Sequence, residues 1–197
     1  MTPQESVLIL QERLAYEQRL VHLVDRIHAA KSLDSLFIEL QGEILGLIDA
    51  ERMTLYAVDQ DRKEIYSKFL AIDTVKEIRL PLSERSIAGF VAATGKIVNI
   101  VDAYDKAEIA KISPALGFDS SWDKKTGYRT HQILAMPVLH DGKAIGVIQL
   151  LNKKKGSRFT RDDEAGVARI AKTLGIAFNN QNQLLQSRPK TKFDYLL

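Results

Sequence analysis

Gln149-Leu150-Leu151-Asn152-Lys153, then the basic loop Lys154-Lys155-Gly156-Ser157-Arg158, then Phe159-Thr160-Arg161-Asp162-Asp163-Glu164, is the stretch on which the fold reading turns. An Asn-Lys pair leaves an apolar strand, and Phe-x-x-x-Asp-Glu opens a helix. Lys153 at the strand end is placed to reach Asp163 in the first helical turn, where a carboxylate also suits the helix dipole. Phe159 anchors the turn between them. The segment therefore reads as a structural clamp formed by Asn152, Lys153, Phe159, Asp163 and Glu164. Exposed, such an ion pair contributes about 0–1 kcal/mol. Buried, loss of one partner costs roughly 3–5 kcal/mol through the charge left behind.

Upstream of the clamp, Gln132–His140 and Ala144–Leu151 are predicted to form a hairpin across Asp141-Gly142, a strong turn pair. Downstream, Thr160–Gln186 is predicted as a long helix with Val167, Ile170, Leu174, Ala177 and Leu184 on one face. Strands are expected over Arg52–Val58, Glu64–Leu70, Lys76–Leu82 (ending near Pro81) and Lys96–Val101. A short helix lies between them at Ile87–Ala92, stopped by Gly95 as its C-cap. The connection Asp102–Thr130 is long for a compact domain, which favours a functional segment. Its Tyr104, Phe118, Trp122 and Tyr128 argue that it is ordered.

At the N-terminal end, residues 4–30 read as one helix with a stripe at Val7, Leu10, Leu14, Val21 and Val24, beside Leu20 and Ile27. The stripe is longer than a lone domain needs. It faces either a partner helix or its own domain. Leu33–Ile48 reads as a second helix with Leu36, Phe37, Leu40, Ile44 and Leu47 inward. Helices at both ends around hairpin-linked strands give an α+β domain on a mainly antiparallel sheet.

Composition narrows the classes. The chain has 197 residues, 45% hydrophobic and 27% charged, as expected of a globular protein. No apolar run approaches the roughly 18 residues of a membrane span, and the N-terminus lacks signal-peptide features, so a cytoplasmic location is the default. Net charge is only +3, too little for a field that recruits nucleic acid, and Lys153–Lys155 with Arg158 and Arg161 reads as a solvated turn. With no cysteine, disulfides, thiolate zinc sites and thiol nucleophiles are excluded. His22, His28, His131 and His140 form no metal-ligand spacing with acidic partners. No Ser/His/Asp or paired-carboxylate constellation stands out, so no catalytic residue is assigned.

The Asn-Lys…Phe-x-x-x-Asp-Glu pattern resembles the signature of cyclic-nucleotide-binding GAF domains of phosphodiesterases and some adenylyl cyclases. Two further blocks carry the resemblance, Ile78-Arg79-Leu80-Pro81 through Asp102-Ala103-Tyr104, and Asp123 through Pro137-Val138 with Thr126-Gly127-Tyr128-Arg129-Thr130 inside it. The similarity extends over roughly residues 20 to 185. It implies a central sheet with terminal helices packed on one face, a ligand pocket on the other, and pairing of the terminal helices in dimers. Without cysteine, the family's bilin-attaching and sulfoxide-reducing roles are excluded.

The chemistry is consistent with that resemblance. A cyclic nucleotide needs donors for phosphate and ribose and an apolar slot for the base. Ser86 is placed to cap the helix at Ile87, whose first-turn N–H groups, at Ile87 and Ala88, suit an anion. Thr126 and Thr130 are polar groups on the long connection. The resemblance implies that these threonines, the Ile87-Ala88 pair and Asp123 help hold the nucleotide. Where several relatives carry glutamate just before the Asn-Lys pair, Gln149 stands here, able to donate and accept at a base edge but uncharged. Leu70-Ala71 occupies the place of a Phe-Asp pair found in some relatives. Base selectivity therefore stays open.

The expected function is a regulatory small-molecule sensor, not an enzyme. It binds cyclic AMP, cyclic GMP or a related ligand non-covalently, has no covalent cofactor, and signals through paired helices to an output domain. The alternative is a ligand-free dimerisation scaffold whose pocket is filled by inward-folded Trp122 or Phe118. The expected organisation is an N-terminal signalling and dimerisation helix over 1–30, the GAF domain with its C-terminal helix over 31–186, and a tail over 187–197 that begins an output domain. A homodimer is expected; membrane insertion is not.

Overall fold

The computed structural model describes residues 3–71 and 74–187. The side chain of Leu184, placed by periodicity on the last helix, and the tail from Arg188 lie outside what is described. Six strands form one antiparallel sheet in the order β3-β2-β1-β6-β5-β4. They are β1 (Ala50–Asp59), β2 (Glu64–Ala71), β3 (Thr74–Pro81), β4 (Val98–Ile100), β5 (Ile133–His140) and β6 (Lys143–Lys153). Helices α1 (Pro3–Ala29), α2 (Leu33–Ile38), α3 (Gln41–Ile48) and α7 (Arg161–Ser187) are joined to α4 (Ile87–Thr94), α5 (Lys106–Ile112) and α6 (Ser121–Thr126). The α+β architecture agrees with the sequence reading.

Alternation along the strands divides the core in two. Leu55, Ala57, Leu134, Met136, Ile148 and Leu150 pack with α1, α2, α3 and α7. Tyr56, Ile65, Ile133, Ala135 and Val147 face α4, α5 and the long connection. Leu36, Phe37, Leu40, Ile44 and Leu47 are all buried, as are Val167, Ile170, Leu174 and Ala177. Gly146 has a packing reason. A Cβ there would lie 2.5 Å from the Tyr56 carbonyl oxygen and 2.8 Å from the Phe178 ring, so glycine lets α7 press onto the sheet.

The hairpin turn has φ of 48° at Asp141 and 75° at Gly142, as a type I′ turn requires. Gly95 ends α4 in the left-handed region with its N–H on the Val91 carbonyl. Three expectations change. The helix expected over Leu33–Ile48 is two helices broken at Glu39-Leu40; the break keeps Leu40 buried and lets Gln41 Nε2 donate to the Met53 carbonyl at 3.3 Å. The strand expected over Lys96–Val101 shortens to Val98–Ile100, because Glu108 accepts the N–H groups of Val101 and Asp102, both at 2.9 Å. The α1 stripe divides: Leu20 and Ile27 are buried in the domain, while Val7, Leu10, Leu14 and Val21 are exposed.

Helices α1 and α7 run parallel. Glu17 pairs with Arg169; thirteen residues on from Glu17 and twelve on from Arg169, Gln181 Nε2 donates to the Ala30 carbonyl at 2.9 Å. No helix among the described residues is long and apolar enough to cross a membrane.

Candidate functional site

The start of α7 is fastened to the end of β6. Lys153 Nζ lies 2.8 Å from Asp163 Oδ1 and donates to the Ile48 carbonyl at 2.7 Å, with both partners' side chains nearly buried. Asp163 Oδ2 accepts the N–H of Thr160 at 2.7 Å, while Thr160 Oγ1 accepts the N–H of Asp163 at 3.2 Å. That reciprocal pair is a capping box with aspartate in the acidic position. Phe159 is buried beneath the Lys153 stem, its ring centroid 6.0 Å from the ammonium. Glu164 accepts from Asn99 Nδ2, which ties the same helical turn to β4. The sequence pattern gave no hint of Asn99 or the Ile48 carbonyl as partners.

Asn152 serves another segment. Its backbone takes a φ of 51°, which asparagine tolerates better than most residues. Its Oδ1 accepts the N–H groups of His131 and Gln132 at 2.7 and 3.1 Å. Its Nδ2 donates to the Arg129 carbonyl at 2.9 Å and to Glu51 at 3.1 Å. Glu51 also accepts from the Tyr128 hydroxyl at 2.8 Å, and Arg52 stacks 3.6 Å over the Tyr128 ring. The bonds from Tyr128 and Asn152 hold the Glu51 carboxyl below its ordinary value. Burial, then the bond to Glu51, pushes the Tyr128 phenol up. The end of the long connection is thus pinned by a residue of the signature itself.

On the α4 side of the sheet, Asp123 and Thr130 come together. Both are buried. Thr130 donates through Oγ1 at 2.8 Å and through its N–H at 2.7 Å, one to each carboxylate oxygen of Asp123. The Tyr104 hydroxyl adds a third bond at 2.9 Å, and burial followed by this contact raises the Tyr104 phenol. Tyr104 meets Phe118 edge-on at 5.3 Å, with Arg129 4.3 Å over its other side. An isolated parallel bridge joins the neighbouring Gly117 to Ser86. The Tyr104–Phe118 contact and this backbone bridge therefore link the Asp123 cluster to the start of α4.

Ser86 caps α4 by accepting the Gly89 N–H at 3.2 Å. Ile87 and Ala88 are buried there, and their N–H groups have no intrahelical acceptor. Gly89 is forced by closeness: a Cβ would meet the Ser83 carbonyl oxygen at 2.2 Å. Gln149 is half-buried on β6, opposite Thr54 of β1 and Ala135 of β5. Thr126 stands apart from these residues. It is exposed and donates to the Trp122 carbonyl of its own helix at 2.8 Å. Phe118 packs partly into the core, whereas Trp122 is 52% exposed and is not folded inward. Among the described residues, no cluster of three or more His, Asp or Glu side chains is arranged to hold a metal ion.

Comparison with known proteins bears on the whole arrangement. The sequence profile of the GAF domain matches residues 32–178. A probable 3′,5′-cyclic phosphodiesterase of Caenorhabditis elegans is 35% identical over 165 residues, covering 78% of this chain and 21% of the relative. A dual 3′,5′-cyclic-AMP and -GMP phosphodiesterase 11A of Takifugu rubripes is 33% identical over 181 residues, covering 85% of this chain and 19% of the relative. The chain thus spans about a fifth of the length of these relatives. Among solved structures, the GAF domain of a Coxiella burnetii phosphoenolpyruvate-protein phosphotransferase superposes with a TM-score of 0.69 at 17% identity, over 87% of this chain and 96% of that one. The GAF domain of the Acinetobacter phosphotransferase gives 0.67 at 16% identity, over 93% and 97%. Sequence profile, fold and the fastening of α7 to β6 all lead to one conclusion: the chain belongs to the GAF domain family.

Proposed function

We propose that this domain is a regulatory sensor that binds a 3′,5′-cyclic nucleotide, cyclic AMP or cyclic GMP, without turning it over. The observation that carries this reading is the buried pair Asp123 and Thr130, joined by the more exposed Tyr104 and linked through Phe118 to the start of α4. Buried polar groups are costly unless paired, and here they pair with one another across the long connection. A nucleotide phosphate near the Ala88 N–H would exchange with these bonds, Thr130 turning its hydroxyl from Asp123 to the ligand. Gln149 would stand at the base edge. The relatives' names, enzymes of 3′,5′-cyclic nucleotides, support the ligand class.

Lys153, Asp163, Phe159 and Glu164 act in this reading as a clamp that fixes α7, and Asn152 as the hub that fixes the segment closing over the ligand. Movement of that segment changes the seating of α7 beside α1. The exposed Val7, Leu10 and Leu14 then give α1 a face for a second copy in a parallel homodimer. The dimer carries the signal to an attached output domain.

A second reading has its own support. The cavity beside Trp122 holds about 170 Å³, below the roughly 300 Å³ at which pockets for drug-sized ligands begin. The Asp123 cluster is also complete without a ligand. A domain that stays in this closed form serves as a dimerisation scaffold.

Calorimetric titration of purified protein with cyclic AMP and cyclic GMP, after unfolding and refolding to strip bound ligand, separates the readings. The sensor reading expects saturable binding at micromolar concentration or tighter, lost in Thr130→Ala and kept in Thr130→Ser. No heat from folded protein with either nucleotide would leave the scaffold reading standing.

A further inference from the structure

The loop between β6 and α7 carries a basic run that neither the clamp nor the proposed pocket uses. Lys153 is engaged by Asp163 and the Ile48 carbonyl, and Phe159 is buried. Between them Lys154, Lys155, Gly156, Ser157 and Arg158 are all exposed, as is Arg161 at the start of α7. Among the described residues, none of Lys154, Lys155, Arg158 and Arg161 forms an ion pair. The backbone is held at its two ends. The Lys154 N–H reaches the Asp49 carbonyl at 2.8 Å, and the Thr160 N–H reaches Asp163 at 2.7 Å. Among the described residues, the backbone N–H groups of 155 to 159 make no hydrogen bond. A segment without such bonds leaves the folded surface at little cost.

Ser157 lies inside this stretch, with Lys155 two residues and Lys154 three residues before it. It is the chain's only serine or threonine with a cation at both of those places. In an extended peptide the two cations stand roughly 7 and 10 Å along the chain from the hydroxyl. Kinases choose their substrates in part by charge pattern, and carboxylates at those spacings in a peptide groove would read this one. The neighbouring hydroxyls are engaged. Thr160 donates to Asp163 Oδ2 at 2.9 Å within the capping box, and Thr126, which follows Lys124 and Lys125, donates to the Trp122 carbonyl. Both are tied to helical structure. Ser157 has no hydrogen-bond partner among the described residues and is tied to none.

We propose that Ser157 is a phosphorylation site for a protein kinase with an acidic peptide groove, and that the cations of its own loop hold the attached phosphoryl group. The γ-phosphoryl group of a nucleoside triphosphate passes to Ser157 Oγ. The bond from the γ-phosphorus to the bridging oxygen breaks, a bond to Oγ forms, and the nucleoside diphosphate leaves. The hydroxyl proton goes to the kinase's catalytic aspartate. The product carries about −1.5 to −2 charge at pH 7, among four exposed cations and ahead of a helix N-terminus that favours an anion. The opposing charges in the first turn of α7 are Asp162, Asp163 and Glu164. Asp163 is bonded to Lys153 and Thr160, and Glu164 to Asn99, which leaves Asp162 as the exposed group that the cations outweigh. The site is independent of the nucleotide reading.

The experiment incubates the full chain with magnesium, γ-labelled ATP and a purified kinase that selects lysine or arginine two and three residues before serine. A peptide substrate of that kinase serves as the control. Incorporation should approach one phosphate per chain, map to Ser157 by mass spectrometry and vanish in Ser157→Ala. Lys154→Ala with Lys155→Ala should slow it about tenfold or more. All these positions are exposed, so the variants should melt as the wild type does. An unlabelled chain beside a labelled control peptide, or label that survives Ser157→Ala, would overturn the site. Phosphorus NMR tests the capture. The second ionisation of phosphoserine, near 6 when free, should lie lower in the folded chain than in a peptide of the same loop, and rise in Arg158→Ala and Arg161→Ala. Equal values in chain and peptide would overturn the capture and leave the site standing.

Discussion

The two faces of the sheet use the same strands to different ends. Toward α1, α2, α3 and α7 the core is continuous and apolar, with Leu20, Ile27, Leu36, Ile44, Ile170 and Leu174 fully buried. Toward α4, α5 and α6 the covering is thinner. It seals the buried Asp123, Thr130 and Ser67 under short helices and leaves β1 and β2 paired only at Ala57–Asp59. The first face provides stability; the second is the face to which the proposed function assigns recognition. Function-bearing regions are drawn from the less stable parts of a fold, and the contrast lies here within one sheet.

That contrast can be broken by mutation. The largest expected loss is at the junction of the faces. Lys153→Ala leaves the nearly buried Asp163 without its cationic partner, though still bonded to Thr160, and should cost about 3–5 kcal/mol in urea or guanidinium unfolding. The double variant with Asp163→Ala should cost less than the sum of the singles; simple additivity would show that the pair does not couple. On the helix face, Leu174→Ala should cost roughly 2–5 kcal/mol through cavity formation, with nucleotide affinity unchanged in the folded protein. A large affinity loss there would blur the division of the two faces.

On the other face, Thr130→Ala removes one of the three bonds to Asp123, that from Oγ1, and leaves those from the backbone N–H of residue 130 and from the Tyr104 hydroxyl. A cost of about 1–3 kcal/mol is expected, together with loss of ligand binding. A smaller effect should follow acidification. The Glu51 carboxyl is held below its ordinary value, so its contribution is present above the unfolded-state value near 4.3. It fades as pH falls through the lower folded value. Glu51→Gln should flatten that part of the acid unfolding curve, and an unchanged curve would show that Tyr128 and Asn152 draw little from the charge. Smallest for stability is Leu10→Glu with Leu14→Glu on the exposed α1 stripe, within about 0.5 kcal/mol. Light scattering at micromolar concentration should nevertheless move from dimer to monomer. A wild-type monomer that persists with ligand would remove the homodimer from the proposal.

Local pattern made much of this molecule legible. Period-2 and period-3.6 spacing located the strands and helices, Asp141-Gly142 marked the hairpin, and Gly95 the end of α4, because each depends on residues near in sequence. The Lys153 to Asp163 approach was readable for the same reason: ten residues and one turn separate them. The candidate site was less legible. The sequence points to Asp123, Thr126 and Thr130 as ligand contacts but not to the bonds between Asp123 and Thr130 or from Thr126 to its own helix. Asn152 looked like part of the clamp, yet its partners Glu51 and Arg129 come from a strand and a connection far along the chain.

What the sequence determined by itself is the order and type of the elements, the family, and the apolar faces that must be buried, all consequences of local geometry and hydrophobic spacing. Only the tertiary structure decided which side chains satisfy one another. It split the α1 stripe into a buried half and an exposed half, parted β1 from β2, and left Trp122 open beside the cavity. These outcomes depend on how distant segments share space and hydrogen bonds around one sheet, and no local pattern encodes that sharing.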